Sequence, residues 1–484
     1  MKFAKRSGAG VFVAVAIQLL SADSQANGRY PAAQYFALGD GAASQRMAVV
    51  TTFGLVVSTD GGRTWGWICE DAIGYSGQFD STVAITDDGS LVVTVPDGVS
   101  RSSGDWCGFE RPVTSAMTPA VDVASVGNRV VAAMTPIAEP QFVQLSDSSG
   151  ARWNRGWSRA EMYAHTIDFA PSAPTRVYLS AWVRGALPAF FRSDDTGATF
   201  REMTRDFAGG YIAYIAWVDP LNADVVLLRS DLDPSGANLL RSDDGGATFR
   251  SIYRSQTALL GVAASPGARQ IWASNSALNE RIHRSADGGA TFTDVRSTLR
   301  PRSLRYVRQT LYATVNEADV GFSFACSRDD GDSFLPVFSL ADIQGPERCP
   351  MGSPVQSRCA DGWEALRTRL LMLNHPPSPA RGICESARVD GGVEILDGAV
   401  DVTAVDSGTT GDATMVDDHR DVLVSDRDVD AANVLVDSAN ANARCSCVVV
   451  GSANADRASR RQFGPWWTLS VLLLVRKRRM RLRN

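Results

Sequence analysis

From residue 211 to residue 255 the chain swings between apolar and polar four times. The runs YIAYIAWVD (211–219), VVLLRSD (225–231), NLLRS (238–242) and FRSIYRS (249–255) are rich in β-branched and aromatic residues, and Pro, Asn, Asp and Gly separate them. Runs of that length and punctuation predict four short strands joined by tight turns. The wave returns as LLGVAAS, QIWASN, RIHRS and FTDVRS, and again as SLRYVR, TLYATVNE, GFSFACS and FLPVFSL, up to residue 340. Four-strand units repeating every forty-odd residues predict a β-propeller with one blade per unit.

A short phrase marks each unit between its third and fourth strands. It reads STDGGRTW at 58–65, SDDTGATF at 193–200, SDDGGATF at 242–249, SADGGATF at 285–292 and SRDDGDSF at 327–334. Two worn copies, SSGDW at 102–106 and SDSSGARW at 146–153, fill the gap after the first. The leading serines are 42 to 49 residues apart, which places seven blades in roughly 30–350. The phrase resembles the Asp-box, or BNR repeat, of sialidases, sortilin-type receptors, xyloglucan-cleaving glycosidases and photosystem assembly factors.

Its residues are those a hairpin turn needs. Serine and aspartate oxygens (Ser58 and Asp60, Ser193 and Asp195, Ser242 and Asp244, Ser285 and Asp287, Ser327 and Asp329) take hydrogen bonds from the turn's own backbone. Gly62, Gly197, Gly246, Gly289 and Gly331 supply positive φ. Trp65, Phe200, Phe249, Phe292 and Phe334 open the next strand and turn their rings inward. A calcium loop of the EF-hand type is disfavoured, since no copy carries a Glu at the twelfth position. The boxes therefore define the scaffold, on the rim and away from the central channel.

The resulting fold class is all-β: a seven-bladed β-propeller with Asp-box turns, followed by a disordered acidic tether and a short C-terminal apolar segment. Of 484 residues 44% are hydrophobic, enough for a sizeable core, and the net charge of −5 argues against a nucleic-acid partner. Residues 1–26 read as a signal peptide: basic MKFAKR, apolar GAGVFVAVAIQLL, then Ser24, Gln25 and Ala26 as a cleavage site. The propeller follows over 27–350 and an extension over 351–385. From 386 to 444 there is no Phe, Trp or Tyr, and twelve Asp and one Glu face four Arg, the composition of a solvated linker. A weak calcium tract is its functional alternative.

Residues 445–484 hold Cys445 and Cys447, the run GPWWTLSVLLLV and a terminal Arg/Lys cluster. The run is short for a membrane span. The combination resembles the C-terminal sorting signal of myxobacteria and their relatives. It implies membrane contact before processing, then release or anchoring at the cell surface. An ordinary tail anchor with an incidental cysteine pair is the plainer alternative.

An exported chain meets an oxidising compartment, so the other six cysteines are expected in disulfides. Cys69 and Cys107 follow the boxes of adjacent blades, which suggests one bridge. Cys349 with Cys359, enclosing a polar loop, suggests a second, and Cys326 with Cys384 a third, pinning the extension to the last blade. No CxxC pair or neighbouring His points to zinc, and no cofactor or metal is expected.

Enzymatic readings rest on the resemblance. A sialidase would need three arginines, a Tyr–Glu pair and an Asp at the channel mouth, the first arginine in a Tyr/Phe-Arg-Ile-Pro phrase. Arg29 followed by Tyr30 and Pro31 is not that phrase, and Arg46 has no such context. A xyloglucan-cleaving enzyme shares phrases such as WVDPLNADVVLLRSD and DFAPSAPTRVYLSAW but works across two domains, and this chain has room for one propeller. Asp80, Asp122, Asp168 and Asp219 cannot be paired by sequence. His165, His283, His375 and His419 are scattered, and His283 reads as a solvated strand residue. Trp153, Trp157, Trp182, Trp217 and Trp272 would stack on sugars if they lined a face, although blade packing is their default. No catalytic residue is assigned. The expectation is an exported or surface-tethered binding module for a glycan or protein, with a glycoside hydrolase as the alternative.

Overall fold

The computed structural model describes residues 29–373, apart from 115–116, 185–187, 233–235 and 278–280, together with Gly382 and Cys384. Seven four-stranded antiparallel sheets occupy 33–68, 83–114, 120–159, 162–204, 212–255, 259–294 and 303–338. Each sheet uses four consecutive strands, so the predicted all-β seven-bladed propeller is what the chain forms. Residues 1–26, read as a signal peptide, 386–444, read as an acidic linker, and the segment holding Cys445 and Cys447 lie outside the described residues, as do His375 and His419.

The repeated phrase performs the turn chemistry expected of it. In blade 5 the Gly246 N–H donates to Ser242 Oγ at 2.9 Å, and that hydroxyl donates to Asp244 Oδ1 at 2.8 Å. The Thr248 N–H and hydroxyl donate to the two oxygens of Asp244. Blades 1, 4, 6 and 7 repeat the serine-to-glycine bond through Gly62, Gly197, Gly289 and Gly331. Burial works against ionisation of Asp60, Asp195, Asp244 and Asp329, but these hydrogen bonds outweigh it and hold each carboxyl below its ordinary range.

Two consecutive residues in each such turn have positive φ, for example Gly245 at 70° and Gly246 at 87°. The first sends its N–H to the turn between strands one and two of the same blade, as in Gly245 to Asp224 O and Gly288 to Arg269 O. A Cβ on Gly246 would overlap the Phe190 ring, so glycine is required there by contact as well as by φ. Trp65 is buried, whereas Phe200, Phe249, Phe292 and Phe334 are half-buried. Blade 2 keeps only part of the device: Ser102 Oγ donates to Gly108 O, and Asp105 accepts from the Cys107 N–H.

Blades meet face to face through apolar side chains, with polar residues of the first strands stitching neighbours together. The Val123 N–H donates to Thr82 Oγ1, the Ile167 N–H to Asp122 Oδ2 and the Ile215 N–H to Thr166 Oγ1, each from one blade to the one before it. Asp122, Asp168 and Asp219 are thus structural. All three are buried, Asp168 caps the Phe169 N–H, and Asp219 accepts from Leu221 and Gly267.

The extension departs from expectation. Pro354–Met372 is a helix of 19 residues that begins inside the 349–359 span expected to be a polar loop. Ser353 caps it by accepting from the Gln356 N–H, Pro354 begins it, and Val355, Cys359, Leu366 and Leu370 form its buried face. The disulfides correct two of the three pairings. Cys69 joins Cys359 and Cys107 joins Cys349, while Cys326 joins Cys384 as expected. Neighbouring blades diverge with radius, so their outer ends are bridged through a third segment and not to each other.

Candidate functional site

In an antiparallel blade, the turns after strands one and three share one face of the ring. The turns after strand two and the crossovers to the next blade share the other. The repeated turns therefore crowd one face and leave the opposite one for the crossovers. On that opposite face lie Tyr30, Met117, Ile137, Tyr163, Trp182 and Tyr211, which make up more than half of the exposed large hydrophobic side chains among the described residues.

Tyr163 and Trp182 form the clearest surface. They are register partners at the ends of Met162–Ala170 and Ala173–Val183, with ring centroids 5.9 Å apart at 41°. They are 57% and 38% exposed. A bulge at His165 shifts the strand's phase. Past the bulge Ile167 and Phe169 pack with blade 3, while Ala170 packs with blade 5. Before it, Met162 and Ala164 belong to the blade 3 side, so Tyr163 and His165 look toward blade 5. Tyr211, 51% exposed, is in phase with Ala213 and Ile215, which pack against blade 4. Three aromatic residues thus flank the line between blades 4 and 5.

A polar group lies beside them, with Tyr214, Arg229 and Asp231 on the side of blade 5 that faces blade 6. The His165 ring lies 5.4 Å from Tyr214, and its buried Nε2 has no hydrogen-bond partner. Burial depresses the His165 pKa to about 4, which keeps the imidazole neutral. The Arg229 guanidinium sits 4.5 Å over the Tyr214 ring and donates to Leu259 O, with Asp231 at 3.8 Å. Burial raises the Asp231 pKa, against the opposing pull of Arg229.

A second polar group gathers where blades 7, 1 and 2 meet on the same face. Arg29 pairs with Asp80 at 2.6 Å, and Arg300 pairs with Asp319 at 2.9 Å. Burial lowers the Arg302 pKa, Asp319 opposes that and Arg29 adds to it, so the two guanidinium groups repel. Burial, then Glu317 and Asp319, raise the Tyr30 pKa. Glu317 is itself engaged, accepting from Ser323 Oγ at 2.6 Å and the Leu340 N–H at 2.7 Å. Arg29 and Arg300 are thus held by carboxylates of the chain, and Arg46 lies elsewhere, over the Trp106 ring.

Of the tryptophans considered, Trp217 and Trp272 are buried, Trp153 and Trp157 are half-buried, and Trp182 alone of the five is exposed. His283 is not a solvated strand residue: it is half-buried and its Nδ1 lies 2.9 Å from Asp294 Oδ1. Sequence reasoning missed Tyr163 and Tyr211. Tyr163 could have been found from the Trp182 assignment, because the short turn between their strands sets them opposite each other.

No known protein family matches the chain, and no curated protein matches it in sequence. Solved structures do. An ancestral GH74 enzyme is 12% identical with a TM-score of 0.48, over 64% of this chain and 46% of its own, so the chain spans less than half of that enzyme. YCF48 from Cyanidioschyzon merolae is 13% identical with a TM-score of 0.42, over 59% of this chain and 93% of its own. The GH74 xyloglucanase from Xanthomonas campestris is 12% identical with a TM-score of 0.31, over 68% of this chain and 66% of its own. These likenesses concern the propeller fold, which the sheet order shows independently.

Proposed function

We propose that the chain is an exported propeller of the Asp-box type that binds a glycan on the face opposite its repeated turns. The observation that supports this is the gathering of Tyr163, Trp182 and Tyr211 along the line between blades 4 and 5. Exposed aromatic rings with polar tips match a sugar, whose C–H faces stack and whose hydroxyls hydrogen-bond. Three disulfides agree with passage through an oxidising compartment, as does the leader-like character of residues 1–26. The C-terminal sorting reading belongs to the same picture and is tested by deleting 445–484 and following surface display.

The half-buried Asp231 favours one further reading, a glycoside hydrolase, since burial shifts its carboxyl pKa upward, the direction that suits a general acid. One assay separates the two. The purified ectodomain is incubated with sialoside and glucan fluorogenic substrates beside an Asp231→Asn variant. Turnover abolished by the substitution replaces the binding reading with the hydrolase, and binding of a glycan without turnover supports the module.

A further inference from the structure

The chain joins blade 1 to blade 2 and every later blade to the next, but it does not join blade 7 to blade 1. Many rings close by letting one terminal strand complete the blade at the other end. Here blade 1 is built from 33–68 and blade 7 from 303–338, so among the described residues no strand crosses the seam. The described residues after blade 7 cross it instead.

Those residues lace the outer edges of three consecutive blades. Residues 344–347 run parallel to the fourth strand of blade 1, bridging Trp67 to Pro346, with the Trp67 N–H on Gly345 O at 2.8 Å and the Glu347 N–H on Trp67 O at 2.8 Å. The Val355 N–H reaches Cys107 O at the edge of blade 2. The Gly382 N–H reaches Pro336 O at the edge of blade 7. Each contact has a disulfide close by: Cys359 to blade 1, Cys349 to blade 2 and Cys384 to blade 7, with Cα separations of 5.4, 5.4 and 6.2 Å. One hydrophobic cluster runs through all of it, from Phe36 and Trp65 across the seam to Phe324 and Phe338 and out to Val355, Leu366 and Leu370.

We infer that this extension is an oxidation-dependent clasp that closes the propeller ring, its three disulfides tying it covalently to blades 1, 2 and 7 across the blade 7 to blade 1 seam. Each bridge forms when two thiols lose two protons and two electrons to an external disulfide, of a thiol–disulfide exchange protein or of glutathione, which leaves as two thiols. The last partner cysteine stands at 384, so the ring is locked only after the whole propeller has been made. Before oxidation the seam depends on side-chain contacts such as Phe36 on Phe324, at 4.9 Å, and Arg308 on Gly39 O, at 3.0 Å.

The test is hydrogen–deuterium exchange on the purified full chain, oxidised and after phosphine reduction under native conditions, with thiol alkylation to count the bridges opened. Reduction is expected to speed exchange about ten-fold or more in the first strands of blades 1 and 7, Ala33–Leu38 and Ser303–Val307, and to leave Met162–Ala170 and Ile212–Val218 unchanged. Unchanged exchange at the seam, or an equal rise in every blade, overturns the clasp. If the bridges resist the phosphine, a variant with Cys69, Cys107 and Cys326 replaced by serine is measured in the same way and judged by the same pattern.

Discussion

Cys69–Cys359 and Cys107–Cys349 are nested, and nesting makes a quantitative prediction. With the inner bridge in place, the outer one closes an effective loop made only of 69–107 and 349–359, about 50 residues, which by chain entropy is worth about 4 kcal/mol. The same holds with the two exchanged. With neither present, the first to form closes nearly the full separation of 290 residues, or 242 for the inner pair, worth about 5.5 kcal/mol. Each Cys-to-Ser pair alone should therefore cost about 4 kcal/mol and the two together about 10, more than their sum by roughly 1.5 kcal/mol. Guanidinium chloride unfolding of the four proteins, Cys326–Cys384 intact, reads these values from the transition midpoints at a common slope. Simple additivity, or a single-pair loss under about 1 kcal/mol, would refute the entropic account of the clasp.

Other outcomes follow from individual groups. Ser193→Ala strips the Gly197 N–H of its buried acceptor and should cost about 1–2 kcal/mol in the same unfolding assay. Gly246→Ala, with a Cβ driven into Phe190 at positive φ, should cost more than Ser193→Ala and lower the melting temperature further. His165 has a folded pKa of about 4 against 6.5 unfolded, so the unfolded chain takes up a proton that the folded one refuses. Its contribution is complete above pH 6.5 and is lost as the pH falls toward 4, by about 3 kcal/mol. His165→Gln should flatten the stability curve by that amount in that window, and a curve parallel to the wild type contradicts the burial assigned to the ring.

The architecture was legible because its signal is local and repeated. Ser, Asp, two residues at positive φ and an aromatic, recurring at forty-odd residues, specify a hairpin in a known place within four strands, and copies of that hairpin count the blades. The extension occurs once, so nothing in the chain calibrates it. Its helix is nonetheless written in Ser353, Pro354 and the spacing of Val355, Cys359, Leu366 and Leu370, although Cys349 and Cys359 also read as the ends of a loop. The disulfide partners depend on where a helix and an edge strand dock, a long-range matter on which cysteine spacing is silent. The aromatic surface depends on strand phase, and the bulge at His165 changes that phase within one strand. Trp182 was among the candidates, while Tyr163 and Tyr211 needed the register.

The claim that the face opposite the repeated turns takes a glycan is tested most directly by titrating a panel of neutral oligosaccharides against three forms of the ectodomain. These are the wild type, Trp182→Ala, and Arg201→Ala on the far face beside a repeated turn. The account predicts at least one sugar bound by the wild type, an affinity about ten-fold weaker in Trp182→Ala, equal to about 1.4 kcal/mol, and no change in Arg201→Ala. Affinity unaltered by Trp182→Ala, or lost in Arg201→Ala, would contradict it.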